Sequence, residues 1–304
     1  MVRFMAALAA LCIPVWAPAQ TVSTLVPPEI PVGDGIVVAP SGDIIVPSGF
    51  GRPTVMRITP DGAVSQLTTG LNRAVGVAVG ADGFFYVNNY GTGRVSRIAP
   101  DGETAVWATG LNGPAGIVFG ADGAAYISEF GANFSGNGRT VVRIAPDGAR
   151  EDFISGNGLR NPIGIAVGAE GTLYISNWDR GEIYRSRSGA EPELFVRLQG
   201  ANINQIAYAG GYLYVPSPNQ RKIFRVSDDG TVEHLAGSGA SGYADGPALE
   251  ASFTRPNGIA ANADGSVLYV VDAADGNAGA IRKIELAAPS TAVEDSSWGE
   301  VKAD

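Results

Sequence analysis

Side chains that do metal or nucleophilic chemistry are scarce in this chain of 304 residues, which carries one histidine, His234, and one cysteine, Cys12. A zinc site needs several nitrogen or sulfur ligands at once, so tri-His and Cys-rich zinc chemistry is excluded. What remains are carboxylates, amides and aromatic rings at recurring places. Asp34, Asn204 and Asn257 each stand directly before a Gly or Gln that opens a β-rich run. Asn89, Glu129, Asn177 and Asp272 each close an aromatic-rich run, and Tyr90, Phe130 and Trp178 directly follow three of them. Oxygen and amide groups beside ring faces suit a small-molecule pocket. Asn, Asp and Ser at strand ends are also common turn formers, and the rings could equally pack within the fold.

The elements that position these residues are legible as repeats. Arg57 to Gly62 reads RITPDG, and RIAPDG recurs at 97–102 and 143–148, with weaker copies ending at Gly189 and Gly230. A second phrase precedes each copy: GVAVGADGFFYV from Gly76, GIVFGADGAAYI from Gly116 and GIAVGAEGTLYI from Gly164, with looser versions from Gly35, Gln205 and Gly258. Each of the six units offers four short strands, A to D, over a period of roughly 40 residues, the pattern of a β-propeller blade. An isolated blade cannot bury both apolar faces, so blades stack until the ring closes. The expected fold is all-β, a six-bladed β-propeller of four-stranded blades over 20–286, in which the segment 22–26 supplies the missing strand D of blade six and removes an exposed edge.

The segment 242–284 resembles an NHL repeat, and the other blades resemble the wider group of gluconolactonase/regucalcin and strictosidine-synthase-like six-bladed propellers. That resemblance implies the fold for most of the chain and leaves the activity open. In the gluconolactonase-like propellers, oxygen ligands at the channel mouth hold a divalent cation. The resemblance carries this to Asp34, Asn204 and Asn257 as metal ligands for Ca²⁺, with Asp34 the catalytic carboxylate of a lactone or ester hydrolase. The blade-one Glu of the family's ligand phrase is absent here, since Glu29 lies five residues before Asp34.

Loop lengths separate the two faces of the ring. The A-to-B and C-to-D turns are short and near-identical, so Asp61, Asp101, Asp147, Asp82, Asp122 and Asp264 read as turn residues. The irregular connections, 130–138 and 237–256, emerge on the D-A/B-C face, where binding residues concentrate. The residues before the strand-A glycines are Asp34, Val75, Ala115, Ile163, Asn204 and Asn257, polar in blades five, six and one and apolar in blades two to four. The expected function is binding of a small molecule, glycan or peptide over Tyr90, Phe130 and Trp178, flanked by Asn89, Glu129, Asn177 and Asp272; metal-dependent hydrolysis is the alternative. A Ser-His-Asp triad does not fit, because His234 falls on an outermost strand. Glu129 and Asp272 do not pair, because blades three and six lie across the ring from one another.

Residues 1–19 read as a signal peptide, with Arg3, an apolar core and Ala17-Pro18-Ala19 before Gln20, which implies a secreted or periplasmic protein. A net charge of −9 with three lysines disfavours a nucleic-acid partner. No later run approaches the ~20 apolar residues of a membrane span. A monomer is expected, with 287–304 a C-terminal tail outside the repeats.

Overall fold

The computed structural model describes residues 20–49, 52–187, 189–274 and 278–287. The proposed signal peptide and all but the first residue of the tail lie outside the described residues. The chain forms six antiparallel sheets, five of four strands and one of five, arranged as the blades of a ring. In blade two the order is Ala74–Val79, Phe85–Asn89, Arg94–Ile98 and Thr104–Ala108, from the inner edge outward. Helix is confined to the 3₁₀ turns Ala132–Phe134 and Ala169–Gly171 among the described residues. No described helix is long and apolar enough to cross a membrane.

Alternation along each strand sends apolar side chains between blades, so the core is six inter-blade clusters rather than one centre. Ile45 and Val55 of blade one pack with Val77, Phe85 and Ile98 of blade two; Val141 and Ile154 of blade three pack with Ile165 and Ile175 of blade four. Each such side chain contributes roughly 1.5–3 kcal/mol when fully buried. The short turns behave as their composition requires. Gly102 adopts φ 96° to close the Ala99–Gly102 turn, while Asp101 accepts the N–H of Glu103 at 3.1 Å. Asp147 and Asp264 repeat this contact, and Asp82 and Asp122 accept Arg97 and Arg143 from strand C.

The recurrent strand-A glycine has a different cause. A Cβ on Gly76 would lie 2.0 Å from the carbonyl oxygen of Ala115, and one on Gly116 would lie 2.4 Å from that of Ile163. Gly35, Gly164 and Gly258 press in the same way on the carbonyls of Val75, Asn204 and Asp34. Each blade thus touches the next through bare backbone at the channel, and only blade five, with Gln205, departs from the rule. Buried strand-B side chains reinforce this collar. Asn88 donates to the carbonyls of Ala115 and Gly116, Ser128 Oγ to that of Ile163, and Ser176 Oγ to that of Asn204, at 2.7–3.1 Å.

The N-terminal strand, Thr21–Ile30, completes blade six by pairing with Ala278–Glu285 in the register Val22↔Ile284 and Thr24↔Arg282. A fifth strand, Gly246–Pro247, is added outside it by the long connection between blades five and six. That connection is largely a latch. Phe253 and Ala251 are fully buried, and the buried Arg282 guanidinium donates to the carbonyls of Ser252 and Ala244 and to Asp245 Oδ1 at 2.7–3.1 Å. Asp245 in turn accepts the backbone N–H and hydroxyl of Thr24. The chain ends and the insertion are therefore locked through one arginine.

Candidate functional site

On the D-A/B-C face the channel mouth opens into a cavity of about 230 Å³. All six residues that precede the strand-A position line it: Asp34, Val75, Ala115, Ile163, Asn204 and Asn257. Five of them supply the carbonyls of the collar, so the contact that sets the spacing of the blades also aims these side chains into one space. Tyr90, Phe130 and Trp178 line the opposite wall, joined by Phe134, and Gln205 and Arg255 complete the polar side.

The polar edge is organised by Asp34. Its Oδ1 accepts hydrogen bonds from Asn204 Nδ2 and Asn257 Nδ2, each at 3.1 Å. Burial raises the Asp34 pKa above the ordinary carboxylate value, opposed by the Asn204 hydrogen bond and by the positive charge of Arg255. With both amide nitrogens turned to the carboxylate, Asn204 Oδ1 and Asn257 Oδ1 are enclosed without a partner. This bears on a cation. A half-turn of each amide about χ2 would set three oxygens together, an arrangement that an oxygen-loving ion stabilises and that is otherwise repulsive. The residues therefore fit Ca²⁺ only in that turned arrangement. Among the described residues no group of three or more His, Cys, Asp and Glu side chains gathers anywhere.

The aromatic wall has its own support. Tyr90 is buried; its hydroxyl donates to the carbonyl of Gly131 and accepts the N–H of Phe134, both at 2.7 Å. These bonds hold the irregular blade-three loop, in which Asn133 and Phe134 both have φ 54°. The rings of Tyr90 and Phe134 lie 4.9 Å apart and that of Phe130 stands edge-on to both, while Phe130 and Trp178 remain partly exposed.

Asn89, Glu129, Asn177 and Asp272, expected from sequence beside the ligand, lie outside the cavity lining. They are buried and turned toward the connections that precede strand A. Asn89 Oδ1 accepts the N–H of Asn72, Glu129 Oε1 that of Asn112, Asn177 Oδ1 that of Arg160, and Asp272 those of Thr254 and Arg255, at 2.6–3.0 Å. Their place is structural: each satisfies loop N–H groups that the sheet leaves unpaired. Burial raises the pKa of Glu129 and Asp272, with backbone N–H donors and Arg150 or Arg282 acting against it. In blade five Asn219, two residues beyond the strand-end Ser217, takes this part by accepting the N–H of Asn202. His234 sits on the outermost strand of blade five, its Nε2 against the carbonyl of Gly237 at 2.7 Å, remote from the cavity lining.

Phe134, Gln205 and Arg255 escaped the sequence reading. Phe134 lies within the irregular 130–138 connection, whose contents carry no repeat. Gln205 and Arg255 were visible only as departures, one replacing a collar glycine and the other standing two residues before Asn257.

No family model matches the chain, and no curated protein does. Solved structures resemble it in fold. A gluconolactonase from Xanthomonas campestris is 17% identical with a TM-score of 0.69, covering 87% of this chain and 89% of its own. An auxiliary nutrient binding protein from Bacteroides thetaiotaomicron is 15% identical with a TM-score of 0.71, over 88% of this chain and 77% of its own. Virginiamycin B lyase from Staphylococcus aureus is 21% identical with a TM-score of 0.59, over 83% and 79% of the two chains. At these identities the likeness concerns the six-bladed fold.

Proposed function

We propose that this chain is an exported ligand-binding propeller that takes a small molecule, or the end unit of a glycan or peptide, in the channel-mouth cavity. The observation that carries the reading is the division of one enclosed space into an aromatic wall, Tyr90, Phe130, Phe134 and Trp178, and a polar edge, Asp34, Asn204 and Asn257. Sites of this kind draw affinity from the apolar wall and orientation from a few fixed polar groups. The nutrient-binding protein among the similar folds is consistent with it. Export rests on the pattern of residues 1–19. The test is a thermal-shift screen of a metabolite library on the purified protein. A hit must lose its effect in Trp178→Ala and Phe130→Ala while both variants keep the parent's unfolding profile. Loss of folding in both would instead make the rings part of the core.

A second reading, a Ca²⁺-dependent lactone hydrolase, is favoured by Asp34 standing between two amides that can turn their oxygens toward it. Bound there, Ca²⁺ would polarise a lactone carbonyl. Asp34, Asn204 and Asn257 are the residues that would hold it. A native-state ligand must raise stability, so a Tm unmoved by millimolar Ca²⁺ or by EDTA removes this reading. A Ca²⁺ shift that survives Asp34→Ala removes the ligand assignment.

A further inference from the structure

Asp34 and Arg255 are the charged side chains in the cavity lining, and they are differently placed. Asp34 Oδ1 already accepts two amide donors. Arg255 is exposed at the rim and forms no ion pair with the described residues, whereas Arg97, Arg143, Arg185 and Arg225 of the blades each hold a carboxylate. The base of the Arg255 side chain is nonetheless fixed. Its N–H donates to Asp272 Oδ1 at 2.6 Å, its carbonyl accepts the N–H of Ala273 at 3.1 Å, and Pro256 restricts its backbone from the following position. A guanidinium on a fixed backbone thus stands at the polar side of the cavity, with its fork not engaged by any carboxylate of the described residues.

Resting on the cavity being the binding site, we propose that the molecule it takes bears a carboxylate, held by Arg255 at the rim, with an apolar or aromatic body against Tyr90, Phe130 and Trp178. The guanidinium fork matches a carboxylate in two parallel hydrogen bonds, which a neutral head does not reproduce. An ammonium head placed there meets a like charge. Asp34 does not oppose the anion strongly, because its Oδ1 is turned to the amide nitrogens of Asn204 and Asn257 and covered by them. A volume of about 230 Å³ limits the body to about one ring and a short arm.

Three probes of one shape test this by calorimetry and thermal shift on the full protein: 3-phenylpropanoate, 3-phenylpropanamide and 3-phenylpropylamine. The carboxylate is expected to bind about tenfold or more tightly than the other two, one strong charged contact being worth at least that. Arg255→Gln should abolish that advantage while leaving the amide unchanged, and Arg255→Lys, which keeps charge without the fork, should fall between. The exposed side chain makes loss of folding an unexpected result, and the amide probe reports on the integrity of the cavity in each variant. Equal binding of amide and carboxylate, tighter binding of the amine, or a carboxylate affinity unchanged in Arg255→Gln overturns the proposal. Amide binding that depends on Trp178 would keep the cavity as a site while removing the carboxylate, and absence of binding by all three probes removes the proposal and leaves the cavity reading to the library screen.

Discussion

The hydroxyl of Tyr90 in blade two is bonded on both sides to the blade-three loop, donating to Gly131 and accepting from the N–H of Phe134 at 2.7 Å. One phenol thus ties two blades together above the cavity and holds Phe134 in a left-handed conformation that a bulky residue rarely adopts. Tyr90→Phe keeps the ring and removes both bonds. It should cost about 1–3 kcal/mol and raise hydrogen exchange at the Phe134 amide selectively. Unchanged exchange there would show that the loop is held by other means.

Asp34 gives stability a definite pH dependence. Its folded pKa is raised above the ordinary 3.8, so between the two values the native state holds more protons than the unfolded chain. Its contribution to stability therefore falls as pH rises through that window and is least favourable above it. Asp34→Asn, whose carbonyl can still accept from both neighbouring amides, should raise Tm at pH 7. The gain should fade as pH is lowered to about 4, where the unfolded chain also protonates. A gain independent of pH would sink this account.

Arg282 should be among the costliest positions to lose. Arg282→Ala leaves the fully buried Asp272 without its cation 3.6 Å away and unties Asp245 of the insertion from blade six. The expected loss is about 3–5 kcal/mol in a denaturant titration. Deleting residues 21–26 should destabilise the whole ring rather than one blade, and a titration with an unchanged midpoint would refute closure by the N-terminal strand.

The collar sorts glycines by cause. Gly76→Ala drives a methyl into the Ala115 carbonyl and should cost about 1–3 kcal/mol or more. Gln205→Gly, which restores the residue found in the other blades, should fold with nearly parental stability. Comparable losses in the two variants would mean that backbone contact does not set the spacing.

Asn177→Ala and Trp178→Ala, adjacent in sequence, should separate in effect. The first leaves the N–H of Arg160 and the carbonyl of Gly158 unpartnered, lowering stability by about 1–3 kcal/mol. The second should weaken ligand binding with little effect on Tm. Chemical denaturation alongside binding to any hit from the library screen tells them apart.

The contrast between these neighbours marks how far the sequence could be read. Repeats exposed the ring, its closure and the mouth column, because turn chemistry and bare-backbone contact restrict residue type strongly enough to recur. Direction was harder. Asn177 and Trp178 lie at a strand end, where alternation breaks down and side-chain direction is fixed by which loop N–H groups need a partner. Phe134 lay within an unrepeated connection, and the Arg282–Asp245 pair spans 37 residues, so neither left a local signature. The two enclosed amide oxygens beside Asp34 depend on side-chain rotation, which no spacing records.

The glycine collar has a consequence for how such a protein can change. Because neighbouring blades meet there through main-chain atoms, the aperture of the ring is independent of the side chains above it. Substitution at Val75, Ala115, Ile163 or Asn204 alters the shape and polarity of the chamber while the carbonyl that braces the adjoining blade stays where it was. The cavity lining and the architecture are thus carried by different atoms of the same residues, and the lip can be resurfaced without re-engineering the ring beneath it.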